Sequence, residues 1–398
     1  MIEFQTAGES HGKGLVTIVS GFPSNLKILP GYINQQLKRR QAGYGRGLRM
    51  KIESDQVEII SGIRFAKTIG SPISMIIWNK DWQNWKDILS IEESIYSTEK
   101  ISIPRPGHAD LVGSIKYNYN DIRNSIERSS ARETAARVAA CTVARRFLEE
   151  FGIYIGSYVE SIGGVTGKNN LDPFVTSKIN IKRISNEADK SPVRVLDKKH
   201  EEIIIRKIKS AKKKGDTLGG TFYIIATGVP VGLGSFASYN SRLDADLSHA
   251  IMSINAVKGV EIGDGFNSAS KFGSEVHDEI ILKNNQITRR SNRAGGIEGG
   301  ISNGMPIIIR AAMKPIATLM NPISTIDLHQ FKSVEARRER SDFVAVPACS
   351  VIAESMTAWV LAKRFLEKYG GDSIEETRDN YNNYMNKIYS RLKKNFAK

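Results

Sequence analysis

Residues 121–151 constrain the fold more than any other part of this chain, because they join an Ala-rich helical pattern to closely spaced cations. Within them, residues 125–137 read Ser-Ile-Glu-Arg-Ser-Ser-Ala-Arg-Glu-Thr-Ala-Ala-Arg. Small side chains let neighbouring backbones approach, so an Ala-rich helix belongs in a crowded interior, whereas a guanidinium without a partner is very costly to bury. The pattern predicts one continuous helix over 121–151, closed by Gly152 as its C-terminal cap. On such a helix Arg128 and Arg132 are four residues apart, as are Ser129 and Glu133, and each pair shares a stripe. Two guanidinium groups stacked that way repel unless an anion lies between them, which points to an anionic ligand.

The rest of the chain supports an α/β body around that helix. Apolar alternation and β-branched clusters predict strands near 14–20, 56–61, 221–227 and 305–313, and helical spacing appears over 30–41 and 243–255. Near the end, Ser373 and Glu376 form a capping box. Beyond it Tyr381, Tyr384, Met385, Ile388, Tyr389 and Leu392 keep helical spacing, so an amphipathic helix is expected over about 373–396. No Pro-rich spacer, low-complexity tract or fixed repeat divides the 398 residues, and one domain over 1–398 is the expectation.

No apolar run approaches the roughly 18 residues a membrane-crossing helix needs. The opening Met1-Ile2-Glu3-Phe4-Gln5 lacks the basic and apolar regions of a signal peptide, so a cytoplasmic protein without a membrane partner is expected. Cys141 and Cys349 lack CxxC spacing and read as small buried hydrophobes, with no metal implied.

A formal charge of +15 calls for anionic partners. Nucleic acid is the first suspect, yet no zinc spacing, RNA-recognition signature or basic heptad appears. The arginines are instead mixed with Gly, Ser, His and carboxylates, as in a small-molecule site. The runs at Lys198-Lys199, Lys212-Lys213-Lys214 and the basic C-terminal tail read as solvated surface.

His200, His249, His277 and His329 carry no flanking signal and read as structural. His11, between Ser10 and Gly12, and His108, after Pro106-Gly107 and two residues before Asp110, sit in turns that can bring an imidazole up to a ligand. Asp110 is a candidate orienting carboxylate for His108. The Gly-rich segments match neither the GxxxxGK[ST] phosphate loop nor a strand-following GxGxxG.

Four blocks together are more specific than any one of them: Gly8-Glu9-Ser10-His11-Gly12, Arg105-Pro106-Gly107-His108-Ala109-Asp110, the 125–137 stretch, and residues 337–348, which begin Arg337-Arg338-Glu339-Arg340-Ser341-Asp342. With the Gly-rich segments at 215–220, 255–263 and 295–304, they resemble the chorismate synthase family over nearly the whole chain.

The resemblance implies a mixed α+β fold, a β-α-β sandwich with helices packed between antiparallel sheets, assembled as a homotetramer. It implies 1,4-elimination of phosphate from 5-enolpyruvylshikimate 3-phosphate to give chorismate, with reduced FMN required and no net redox change. The flavin electrons would come either from NADPH used by the chain itself or from an external flavin reductase. Flavin contacts carried over by motif are Arg128, Ser129, Ser130, Asn255, Ala256, Gly299, Lys314, Pro315, Ile316, Ala317, Thr318 and Arg340. Substrate or NADP recognition falls to Arg40, Arg46, Arg132 and Arg337, whose planar forks suit carboxylate and phosphate. His11, His108 and Asp342 are the implied proton-transfer residues, with Ser10 and Ser130 positioning ligands. Two other classes stand beside this reading. A nucleic-acid-binding module predicts affinity that falls steeply with salt, and a nicotinamide-dependent flavin reductase predicts pyridine-nucleotide oxidation by the chain alone.

Overall fold

The computed structural model describes residues 2–47, 54–93, 99–167, 179–284, 286–339 and 341–396. Two antiparallel sheets sandwich a layer of helices. The first sheet has the strand order Glu3–Ala7, Gly14–Ser20, Ile73–Trp78, Val57–Ile59. Gly14–Ser20 alternates as predicted, with Leu15, Thr17 and Val19 inward, and they meet Ile73, Met75 and Ile77 of Ile73–Trp78, a strand not expected from the sequence. The second runs Val257–Ile262, Ile307–Met313, Gly220–Thr227, Tyr154–Ile162, Val165–Thr166.

Between the sheets lie the helices Pro30–Gln41, Thr134–Glu149 and Val346–Tyr369, which pack on one another. Thr134–Glu149 rests on the first sheet, through Gly14–Ser20 and Ile73–Trp78, and Val346–Tyr369 on the second, through Tyr154–Ile162 and Gly220–Thr227. Almost every side chain of Val346–Tyr369 is buried, so the helix has no polar face and therefore no stripe in the sequence. It stops at Gly370, whose φ of +63° an L side chain rarely adopts, and the last helix then runs Ile374–Phe396 as expected. The Ser373 hydroxyl accepts from the Glu376 amide at 3.2 Å, and Tyr381 and Tyr384 pack on the core. The Tyr389 side chain lies outside the described residues.

The continuous helix expected over 121–151 is broken. Arg123–Ser129 ends at Ser130, whose ψ of 140° is extended, and a short 3-10 turn at Ala131–Glu133 leads into Thr134–Glu149. The Ser130 hydroxyl accepts from the Arg132 amide at 3.3 Å, a local bond that competes with the helical ladder. Arg128 and Arg132 consequently share no stripe, and no anion is required between them. Both cysteines are buried as expected, and burial pushes the Cys349 thiol up to about 12. Among the described residues no helix is long and apolar enough to cross a membrane, and no acidic, His or Cys group could hold a metal ion.

Candidate active site

The site collects where Pro30–Gln41 ends and where Thr134–Glu149 and Val346–Tyr369 begin. His11 rides on the loop between the first two strands. That loop turns back sharply at Gly8, where φ is +106° and a Cβ would lie 2.4 Å from the Gly14 carbonyl oxygen. The His11 ring donates from Nδ1 to Glu127 Oε1 at 2.8 Å, and the His11 backbone amide donates to Glu127 Oε2 at 2.7 Å. An ionised carboxylate only accepts, so this pair fixes the Nδ1–H tautomer and assigns proton exchange to Nε2. Trp85 stacks on the imidazole with centroids 3.9 Å apart. Ser10 is buried beside it and donates its backbone N–H to the Glu127 carbonyl at 3.1 Å.

Behind this loop lies a buried ionic group. Asp55 accepts from Arg132 Nη1 at 2.5 Å and from Arg40 Nη1 at 3.4 Å. Arg40 also donates to Thr134 Oγ1 at 3.0 Å and to the Ala131 carbonyl at 2.9 Å. Burial lowers the Arg40 guanidinium to about 10, against the raising effect of Asp55, so it stays cationic at neutral pH. Arg46 and Asp342 also act on it electrostatically, which puts them in the same neighbourhood. Arg46 Nη1 lies 2.9 Å from Asp342 Oδ2, and the Gly47 amide donates to Asp342 Oδ1 at 2.5 Å. The aspartate therefore pairs across the site with Arg46.

The second histidine sits in a denser network. His108 Nδ1 lies 2.5 Å from Asp110 Oδ1, and Asp110 also accepts from the Arg105 backbone amide, Nε and Nη2. Burial alone would raise the Asp110 carboxyl, but the bonds from His108 and Arg105 hold it well below the usual carboxylate range. Arg105 Nη1 reaches on to Glu339 at 2.9 Å and Thr318 Oγ1 at 3.1 Å, and Arg337 pairs with Glu339. Burial would lower the Arg105 guanidinium. The Asp110 bonds, with the charges of Glu339 and Glu127, raise it instead. Glu127 also acts electrostatically on Arg105, which puts the two histidine clusters in one neighbourhood.

The segments assigned to flavin come together only in part. The Lys314 ammonium donates to the Gly107 carbonyl at 2.5 Å, beside His108, and the Lys314 amide donates to the Ala256 carbonyl at 2.9 Å. Ala317 lies against Gly107, while the Ile316 carbonyl accepts from Thr217 at 2.7 Å. Asn255 donates to the Ser129 carbonyl at 3.0 Å, and its buried Oδ1 has no partner among the described residues. A cavity of about 590 Å³ is lined by Arg128, Ser129 and Asn255 together with Phe4, Trp359 and Lys363. Gly299 and the Lys314–Thr318 run lie outside that lining, and Gly299 stands in open space. Arg128 reaches back to the Thr6 carbonyl at 3.0 Å. Arg340 lies outside the described residues.

Reading the sequence alone misses Glu127, Asp55, Asn79 and Trp85. Glu127 had a signal, being the carboxylate that opens the cationic 127–132 stretch. The other three had none, because their partners lie far away in the chain.

Comparisons with known proteins agree over nearly the whole chain. The family profile described as Chorismate synthase matches residues 2–366. The chorismate synthase of Chloroherpeton thalassium is 54% identical over 97% of this chain and all of its own. That of Aquifex aeolicus is 50% identical over 98% of each chain. A crystal structure of chorismate synthase superposes with a TM-score of 0.80 at 42% identity, covering 98% of both chains.

Proposed function

The chain belongs to the chorismate synthase family, and from that premise we propose how its residues divide the work. The reaction is the 1,4-elimination of phosphate from 5-enolpyruvylshikimate 3-phosphate to give chorismate, the last common step of aromatic amino-acid biosynthesis. The observation that carries the assignment is the pair of neighbouring histidine–carboxylate clusters with arginines around them.

In this reading His11 protonates the departing phosphate from Nε2, with Glu127 holding the ring. Arg40, Arg46, Arg132 and Arg337 neutralise the anionic groups of the substrate. Asp55 already holds Arg40 and Arg132, so their charges need no reorganisation when phosphate leaves. Ser10 and Ser130 position the ligands.

The chemistry of the second cluster fits a reduced flavin. Lys314 and Arg128 supply positive charge for its phosphate, and Asn255 Oδ1 offers a buried acceptor for a ligand N–H. Ser129, Ser130, Ala256, Gly299, Pro315 to Thr318 and Arg340 complete the assigned set. When bound, reduced FMN would lend electron density to the substrate as phosphate departs and recover it as hydrogen is lost. With that group bound, His108 would sustain its anionic form and Asp342 would move a proton at its central-ring nitrogen. We assign the chain to the cytoplasm as one domain and a homotetramer, with its flavin reduced by NADPH at the site or by an external reductase.

The test is chorismate formation under anaerobic conditions with chemically reduced FMN. Turnover is expected, and its absence would overturn the reading. NADPH oxidation with free FMN and no chorismate would favour the flavin-reductase class instead.

A further inference from the structure

We propose that Asn79 is a positioning residue for the elimination, the side chain that sets the His11 loop and ties it to the buried arginines. It follows the strand Ile73–Trp78 and is 5% exposed. Its Nδ2 donates to three loop carbonyls: Gly12 at 2.7 Å, Ser10 at 3.3 Å and Glu9 at 3.4 Å. Its backbone amide donates to a fourth, Lys13, at 3.1 Å. On its other side Oδ1 accepts from Arg132 Nε at 2.9 Å.

The orientation of the amide is determined by these partners. Carbonyls only accept and a guanidinium only donates, so nitrogen must face the loop and oxygen must face Arg132. A loop that carries its imidazole outward turns its backbone carbonyls inward, where each needs a donor. Asn79 supplies that donor to Gly12 and Lys13 and shares its second amide hydrogen between Ser10 and Glu9. The same short segment brings Trp85 onto the His11 ring, so residues 79–85 grip the loop backbone at one end and the imidazole at the other. Through Arg132 and Asp55 the grip extends to Arg40, which links the proton donor to the cations around the substrate. An error of about 1 Å in such a constellation can cost on the order of a hundredfold in rate.

The discriminating substitution is Asn79→Asp. It is isosteric and keeps, even strengthens, the acceptor for Arg132, but it places an acceptor against the loop carbonyls. The anaerobic assay with reduced FMN is run on the parent, Asn79→Asp, His11→Ala and the double variant, with flavin titration and thermal melting of each. Asn79→Asp is expected to fold, to bind flavin within about threefold of the parent, and to lose about tenfold or more in kcat with a smaller change in KM. The double variant should be no slower than His11→Ala, because the loop then has no proton donor to aim.

The proposal is overturned if Asn79→Asp turns over within about threefold of the parent, which would leave only the Arg132 bond as its role. It is equally overturned if the substitution slows His11→Ala as much as it slows the parent, or if Asn79→Asp fails to fold. The argument rests on His11 as proton donor. A His11→Ala enzyme at the parental rate would sink that assignment, whereas a slow His11→Ala beside a parental Asn79→Asp would sink only this inference.

Discussion

His11 and His108 each lie against a buried carboxylate, yet the two carboxylates keep different company. Glu127 serves His11, taking the ring proton on one oxygen and the loop amide on the other. Asp110 is shared: three donors of Arg105 reach it beside His108, and Arg105 continues to Thr318 and Glu339. The first histidine ring is thus held by one carboxylate that serves it and its own loop, so removing the imidazole leaves the buried Arg132–Asp55–Arg40 pairs in place. The second is one node of a network that ties residues 105–110 to segments more than two hundred residues away, so its chemistry and the protein's stability are coupled there.

The comparison breaks first on the imidazoles. His11→Ala and His108→Ala should each lose on the order of a hundredfold to ten-thousandfold in turnover, as removal of a general acid or base commonly does. Substrate affinity should suffer more in the first variant and flavin affinity more in the second. Retained activity within about threefold would make either histidine structural.

The carboxylates should separate more clearly. Asp110→Asn leaves a buried guanidinium short of its charge partner and should cost about 3–5 kcal/mol of stability, measured by denaturant unfolding. Because the Asp110 carboxyl is held below its ordinary 3.8, its contribution is full above that pH and is lost as pH falls through the lower folded value. The gap between parent and variant should therefore be constant near neutrality and close only below about pH 4. Glu127→Gln keeps one acceptor oxygen of two, so a loss of about 1–2 kcal/mol in holding the loop, near tenfold in kcat, is expected with little change in melting. Equal destabilisation by the two substitutions would erase the distinction between clamp and network.

How much of this was legible follows the range of the interactions. Gly14–Ser20 and Pro30–Gln41 were readable residue by residue, since alternation and a first-turn proline are local signals. The break at Ser130 was not, because a serine that caps and a serine that sits in a helix look alike until the backbone is seen. Val346–Tyr369 is buried on all sides and so offers no periodicity to find. At the site, flanking glycines marked His11 and His108. Their supports stayed hidden, because Glu127 lies 116 residues from His11, and Asn79 lies 53 from Arg132. The stripe expected for Arg128 and Arg132 is lost with the break at Ser130, and the partner that satisfies Arg132 instead, Asp55, lies in another part of the chain.

The smallest expected effect concerns how the two halves of the site speak to one another. Arg46 pairs with Asp342, which the proposed chemistry sets beside the flavin, and Arg46 also stands among the cations assigned to substrate. Bound substrate would add anionic charge that Arg46 must meet, and it would also cover the flavin. Substrate should therefore tighten flavin binding. Reciprocity requires that flavin tighten substrate by the same factor, about fivefold or more for a coupling of 1 kcal/mol. Arg46→Ala should reduce both factors together while leaving flavin affinity without substrate near the parental value. Titrating flavin with and without an unreactive substrate analogue measures this. Equal affinities in the parent would mean that the His11 and His108 halves bind their ligands independently, and that the nearness of the two clusters is an accident of packing.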